Sequence, residues 1–201
     1  MNKDLQPGAV AASTLLAAVV GTQTKYQTIV ADPPWEQKNM NKWNRRKQTA
    51  EVLPYLTMTI DEIKNLPIHN LSDDNCNCFI WTTNQILPKT FEILNAWGFK
   101  YLTTLTWVKP SGVGAWFVNR TQHIVVGYKG KLKLTKRFEP TVYFNNPLRH
   151  SEKPKIFHEL FEKISPEPRL EMFARRKRFG WHIWGNELEN DVELNVSVNG
   201  S

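Results

Sequence analysis

The chain has 201 residues, with 26 Lys and Arg against 19 Asp and Glu, a net charge of +7 and a pI near 9.4. That is one domain with a substantial core, and its 22% charged and 41% hydrophobic residues fit a soluble globular protein whose basic balance suits a polyanionic partner. Cys76 and Cys78 are too few and too close for a disulfide framework or a four-ligand zinc site. They are expected as buried thiols in a reducing cytoplasm, or a nucleus if the source is eukaryotic.

In chain order, residues 1–24 read as an N-terminal extension. Its apolar stretch Ala9 to Val20 is too short to span a membrane and follows no positively charged region, so a helix is expected there rather than a leader. Tyr26 to Ala31 reads as a buried strand. Asp32-Pro33-Pro34-Trp35 follows it directly. Two prolines make a stiff turn, because each fixes its own φ and restricts its predecessor. The turn sets a carboxylate and the Pro33 carbonyl side by side as acceptors, and an exocyclic amino group has two hydrogens to give them. Trp35 offers a plate for stacking on a planar ring. A proline turn with a core Trp is the plainer reading of the same four residues.

Residues 36 to 57 read as a long loop carrying Lys38, Lys42, Arg45, Arg46 and Lys47 around Trp43. That fits a phosphate-contacting lid with a stacking ring, and equally a solvated charge run. Thr59-Ile60-Asp61-Glu62 is a capping box opening a short helix. Cys78 to Thr82 reads as a strand, and Pro88 to Trp97 as a helix stopped by Gly98. Lys100 to Val108 is β-rich. Lys109 to Gly114, with a Pro and two Gly, reads as a loop. His123 to Tyr128 is a strand, Lys129 to Arg137 a basic hairpin edge, and Thr141 to Phe144 a short strand. Ser151 is expected to cap a helix from Lys153 to Ile164, with Ile156, Phe157, Leu160, Phe161 and Ile164 on one face. Leu170 to Phe173 and Trp181 to Trp184 read as short strands. The tail, 189–201, is expected to fray. Strands alternating with helices predict an α/β domain with a mostly parallel sheet, whose ligands bind at the carboxyl ends of the strands.

Several blocks in order add to the Asp-Pro-Pro-Trp turn. They include Phe79-Ile80-Trp81-Thr82-Thr83-Asn84, Trp107-Val108-Lys109, His150-Ser151-Glu152-Lys153-Pro154, Arg169 to Arg175 and Trp184-Gly185-Asn186-Glu187-Leu188. Over residues 25–188 the chain resembles the DPPW-containing adenine-N6 methyltransferases, the MT-A-seventy family. The resemblance implies a Rossmann-like methyltransferase fold in the permuted, β-class motif order, with S-adenosylmethionine as cofactor. It implies Asp32, Pro33, Pro34 and Trp35 as catalytic residues. It puts Lys153 at the methionine carboxylate, Arg175 at the ribose, and Asn186 and Glu187 at the adenosine edge. Asp32, Glu171 and Phe173 complete the cofactor set. Trp116, Asn119 and Arg120 would cover the target base, joined by the loop residues Lys38, Trp43, Arg45 and Arg46.

Some relatives carry His and Asn where Lys177 and Arg178 stand, so those two contacts are open between cofactor, phosphate and solvent. The compact core resembles bacterial or phage DNA enzymes, so DNA is the expected substrate and RNA the alternative. A homodimer, or a pairing with a catalytically silent paralogue, is expected, and no membrane. Two rival readings stand beside this one. One is a non-catalytic nucleic-acid-binding subunit of the same fold. The other is a methyltransferase acting on cytosine N4 or a glutamine amide.

Overall fold

The computed structural model describes residues 24–36, 57–114, 116–146, 153–186 and 188–194. The expected N-terminal helix, the loop carrying Lys38, Trp43, Arg45 and Arg46, the Ser151 cap and Glu187 lie outside them.

Among the described residues, one seven-stranded sheet runs β5-β3-β4-β2-β1-β6-β7. Its strands are β1 (Tyr26–Ala31), β2 (Ser72–Thr83), β3 (Lys100–Val113), β4 (Asn119–Lys129), β5 (Val142–Phe144), β6 (Arg169–Met172) and β7 (His182–Trp184). β4 runs against its neighbours β2 and β3, and the other pairings are parallel. This is the mostly parallel α/β sheet the element pattern predicts.

The helices α1 (Ile60–Lys64), α2 (Ile68–Leu71) and α3 (Leu87–Ala96) pack on one face and α4 (Lys155–Ile164) on the other. α1 opens with the expected capping box: Thr59 Oγ1 accepts the Glu62 N–H, and Glu62 accepts the Thr59 N–H at 2.7 Å. Gly98 ends α3 at φ +84, a conformation that a Cβ would strain.

The alternation of side chains along β1 and β6 sorts the core. Ile29, Ala31, Leu170 and Met172 face α1 and α3 with Trp97, whose indole N–H donates to the Ile63 carbonyl at 3.0 Å. Val30 faces α4 with Phe79, Trp81, Trp107 and Trp181, where Phe157, Leu160, Phe161 and Ile164 form the buried stripe of the helix. Ile156, expected on that stripe, is exposed.

Four local expectations change. Lys109 to Gly114 is not a free loop, because β3 continues to Val113. Val108 pairs with Thr121 and Val113 with Asn119, so the residues between them bulge out opposite Arg120. A bulge tolerates Pro110, which has no N–H to pair, and needs Gly112, whose Cβ would lie 2.2 Å from the Asn119 carbonyl. α4 starts at Lys155 with Pro154 at its cap position and no side-chain cap. The basic stretch after Lys129 is no sheet edge. It connects β4 to the edge strand β5, and its Lys133 carbonyl accepts the buried Asn77 side-chain amide at 2.6 Å. The start of the tail is docked rather than frayed. Asp191 accepts the Ile183 N–H at 2.9 Å, Asn190 accepts the Gly185 N–H at 2.7 Å, and Val192 is buried.

Candidate active site

β1 sits between β2 and β6, and the chain leaves it for β2 on one side while β6 returns on the other. That is the topological switch point at which open α/β sheets bind ligands. Ala31 pairs with Met172, so Asp32 and Phe173 emerge side by side at the carboxyl ends of β1 and β6. This places the Asp-Pro-Pro-Trp turn beside the strand that the resemblance assigns to the cofactor.

The turn is tightly braced. The Pro33 carbonyl accepts the Trp35 N–H at 2.9 Å, and the Pro34 carbonyl accepts the Met58 N–H at 2.9 Å. The Trp35 indole N–H donates to the Trp81 carbonyl at 3.2 Å, and the ring packs partly buried against the first core. The Pro33 carbonyl therefore keeps one of its two lone pairs for a ligand. Trp35 is held as a wall of the turn.

Lys153, just before α4, donates to Asp32 Oδ2 at 2.7 Å and lies 5.1 Å over the Trp81 ring. The Lys153 side chain is 17% exposed and that of Asp32 34%, so the pair is partly shielded yet open to solvent. The bond to Lys153 engages Oδ2 and leaves Asp32 Oδ1 as a further acceptor. Two distant segments with opposite charge, separated by 121 residues, thus converge.

Glu171 lies on β6 on the α4 side, where His158 of α4 approaches to 3.7 Å and Arg178 to 3.9 Å. Neither distance is a hydrogen bond. Glu171 Oε2, Arg178 Nε and His158 Nδ1 are buried without a partner. Burial pushes the Glu171 carboxyl up to about 7, with Arg178 opposing and Asp32 reinforcing the rise. Burial, helped by Arg178 and Arg176, presses His158 down to about 3, so its ring is neutral. Arg178 is therefore turned inward towards Glu171, while Lys177 is exposed and reaches Glu189 at 3.9 Å. Of the two residues left open between contacts, Arg178 belongs to the interior.

A raised carboxyl pKa stabilises the fold fully below the unfolded value and loses that contribution as pH climbs to the folded value. For Glu171 the window is pH 4.5 to 7, the ordinary and the raised value. Relative to Glu171→Gln, the protein is expected to lose up to about 3 kcal/mol between pH 5 and 8. Paired thermal melts across that range check this, and a constant difference between the two proteins would contradict it.

Phe173 has φ +63, an outlier for a bulky residue, and meets the Trp184 ring edge-on at 5.3 Å. This kinked residue redirects the chain so that Arg175, exposed, follows at the rim. Asn186, also exposed, leaves β7 at the same rim, where buried Gly185 packs so tightly that a Cβ would meet the Ala174 carbonyl at 2.4 Å. Asp32, Pro33, Glu171, Phe173, Arg175 and Asn186 therefore share one end of the sheet.

The expected base-covering residues lie across β2 on the β3–β4 hairpin. Trp116 is 92% exposed at its tip. Asn119 and Arg120 belong to β4 rather than to a loop, and Arg120 Nε donates to the Lys109 carbonyl at 3.0 Å. A side-chain network missed from sequence braces this hairpin. Asn84, which follows β2, donates to Thr121 Oγ1 at 2.8 Å and to Asn119 Oδ1 at 3.4 Å. Its own Oδ1 must then accept from His123 Nε2, 2.7 Å away, and His123 Nδ1 accepts the Thr106 hydroxyl at 3.1 Å. Burial holds His123 below the usual histidine range, which favours this neutral tautomer. Asn84 closes the aromatic block after β2, and that adjacency is the only sequence signal for the network.

The chain is similar to several known methyltransferases. A "N(6)-adenosine-methyltransferase MT-A70-like" protein of Arabidopsis thaliana is 30% identical over 88% of this chain, which covers 25% of that protein. "Type II methyltransferase M.MunI" of Mycoplasma sp is 28% identical over 85% of this chain and 81% of its own length. The human "N(6)-adenosine-methyltransferase catalytic subunit METTL3" is 29% identical over 87% of this chain and 30% of its own. The chain thus spans about a quarter of the plant relative and most of the Mycoplasma one. The MT-A70 family model matches residues 26–187, from the first strand through the last motif of the rim, and the chain belongs to the MT-A70 family.

Proposed function

We propose that this protein transfers a methyl group from S-adenosylmethionine to N6 of an adenine in nucleic acid, with DNA the favoured substrate. The observation that carries the proposal is the juxtaposition at the switch point. The Asp32 carboxylate and a Pro33 carbonyl lone pair stand at the end of β1, with Lys153 2.7 Å from Asp32 and β6 alongside.

The residues of the site suit the cofactor. The Lys153 ammonium has hydrogens beyond the one given to Asp32, enough for a carboxylate. Glu171, on β6 beside Asp32, adds a carboxyl at the same end of the sheet. Arg175 and Asn186 supply donors at the rim for hydroxyl and ring-edge contacts. Bound S-adenosylmethionine supplies a methyl group activated by its sulfonium, so the protein's task is alignment and selection.

Adenine N6 is a poor nucleophile because its lone pair is delocalised into the ring. Asp32 Oδ1 and the Pro33 carbonyl each accept one N6 hydrogen, which favours a more tetrahedral nitrogen with its lone pair aimed outward. Lys153 fixes Asp32 through Oδ2, and Trp35 and Met58 brace the turn, so the acceptors need no reorganisation. The base must be flipped from a duplex or already single-stranded to reach this notch.

DNA is favoured on the similarity to a Type II methyltransferase, 28% identical over 85% of this chain. That the human relative is named a catalytic subunit supports pairing with a second subunit, identical or paralogous. The test is incubation with labelled cofactor and matched DNA and RNA oligonucleotide pools, followed by nucleoside digestion. Labelled N6-methyladenine from DNA is expected. Label from RNA alone overturns the substrate preference, and label from neither overturns the enzymatic reading.

A further inference from the structure

We propose that the cleft between the carboxyl ends of β3 and β5 binds a nucleotide flanking the target adenine. Its phosphate meets Lys109 and Arg120 and its base lies against Phe144. This rests on the nucleic-acid reading of the active site and names a subsite that reading does not supply.

The cleft has a volume of about 520 Å³ and is lined by Lys109, Arg120, Phe144, Asn145 and Asn146 among others. That falls within the range of sites for small organic ligands. Its walls come from the β3 bulge, a device that re-aims side chains next to active sites. Val108 pairs with Phe144, so Lys109, the first residue of the β3 bulge, lies beside Asn145, the first residue past β5. The Trp107 indole N–H donates to the Asn145 carbonyl at 2.8 Å, which fixes the chain after β5, and Lys109 Nζ lies 5.5 Å from the Trp107 ring centre. The same Trp107 packs edge-on against Trp81, over which Lys153 reaches to Asp32. Two packed tryptophans thus link the wall of the cleft to the Lys153–Asp32 pair.

Its chemistry selects an anion carrying a flat ring. Among the described residues, neither Lys109 nor Arg120 pairs with a carboxylate, and Arg120 is held by the Lys109 carbonyl so that both cations share one wall. Burial and the nearby Lys153 charge both press Lys109 below the usual lysine range, a strain that a phosphate between the cations relieves. Phe144 is 79% exposed on an edge strand, a costly position for a ring with nothing to cover. Base stacking on an aromatic is sequence-tolerant, and the Asn145 and Asn146 amides supply donors and acceptors for a base edge.

The test is binding of a fluorescent single-adenine DNA oligonucleotide, scanned with abasic residues on either side of the target. Methyl transfer to the intact oligonucleotide is measured in parallel. For the unmodified protein, an abasic residue at one flanking position is expected to weaken binding on the order of tenfold. Phe144→Ala is expected to lose a similar factor on the intact oligonucleotide and to become insensitive to that abasic position. Cofactor affinity should not change. Lys109→Gln and Arg120→Gln are each expected to lower the salt slope of binding by about 1. A flat abasic scan with methyl transfer intact overturns the subsite alone. Loss of both binding and methyl transfer in the unmodified protein removes the subsite together with the function it rests on. Because the abasic scan needs no variant, misfolding of Phe144→Ala does not protect the proposal.

Discussion

Asp32→Ala is expected to lower the single-turnover rate of methyl transfer by at least about 100-fold, with little change in melting temperature. The side chain lies at a rim and a third of it is open to solvent, so the fold does not depend on it. The chemistry does. Removing the carboxylate leaves one acceptor, the Pro33 carbonyl, for two N6 hydrogens, and the amino group is free to stay planar. Asp32→Asn separates shape from charge. It keeps an oxygen acceptor, but its NH2 group would confront either Lys153 or the incoming amine, so an intermediate loss is expected. Full activity in both variants would place the reacting group elsewhere.

Lys153→Met is expected to weaken cofactor binding by about 10- to 100-fold, the value of a charge-assisted hydrogen bond. The ammonium is largely shielded, lies over Trp81 and holds Asp32 at 2.7 Å. Methionine preserves the length and packing of the stem while removing every donor. The variant therefore loses both the partner of the cofactor carboxylate and the clamp on Asp32. Titration calorimetry with S-adenosylmethionine reads the first loss, and single-turnover rate at saturating cofactor reads the second. Lys153→Arg should recover part of the affinity. Nucleic-acid affinity should fall much less than cofactor affinity, and an equal fall in both would assign Lys153 to the phosphate backbone instead.

Much of this arrangement is legible locally. The apolar run from Tyr26 to Ala31 and the two prolines after it announce a strand and a rigid turn because their constraints are contained within ten residues. The capping box at Thr59, the stop at Gly98 and the stripe on α4 are local in the same way. What sequence windows miss is polarity satisfied from a distance. Ser72 to Asn77 reads as too polar for a strand, yet Asn77 is buried because the Lys133 carbonyl, 56 residues on, accepts its amide. Lys109 to Gly112 carries turn residues, but β4 supplies a partner on either side and converts the loop into a bulge.

The site divides along the same line. Asp32, Pro33 and Lys153 stand out because their motifs are compact. His158 looks like one polar residue in an amphipathic helix, and only the packing of α4 on β6 brings it to Glu171. Arg178 sits in a basic run that sequence leaves open between cofactor, phosphate and solvent, and the kink at Phe173 precedes its turn towards the interior. Asn84 and His123 become a network only once β4 inserts between β2 and β3.

The notch at Asp32 and Pro33 is tested most directly by mapping the methyl group on an oligonucleotide containing one adenine, beside the same oligonucleotide with a purine that lacks the 6-amino group. Mass spectrometry of the digested products should find the methyl on N6 of adenine and none on the amino-free purine. Methylation of the amino-free purine, or of a ring nitrogen of adenine, would show that the two acceptors do not present an amino group at all.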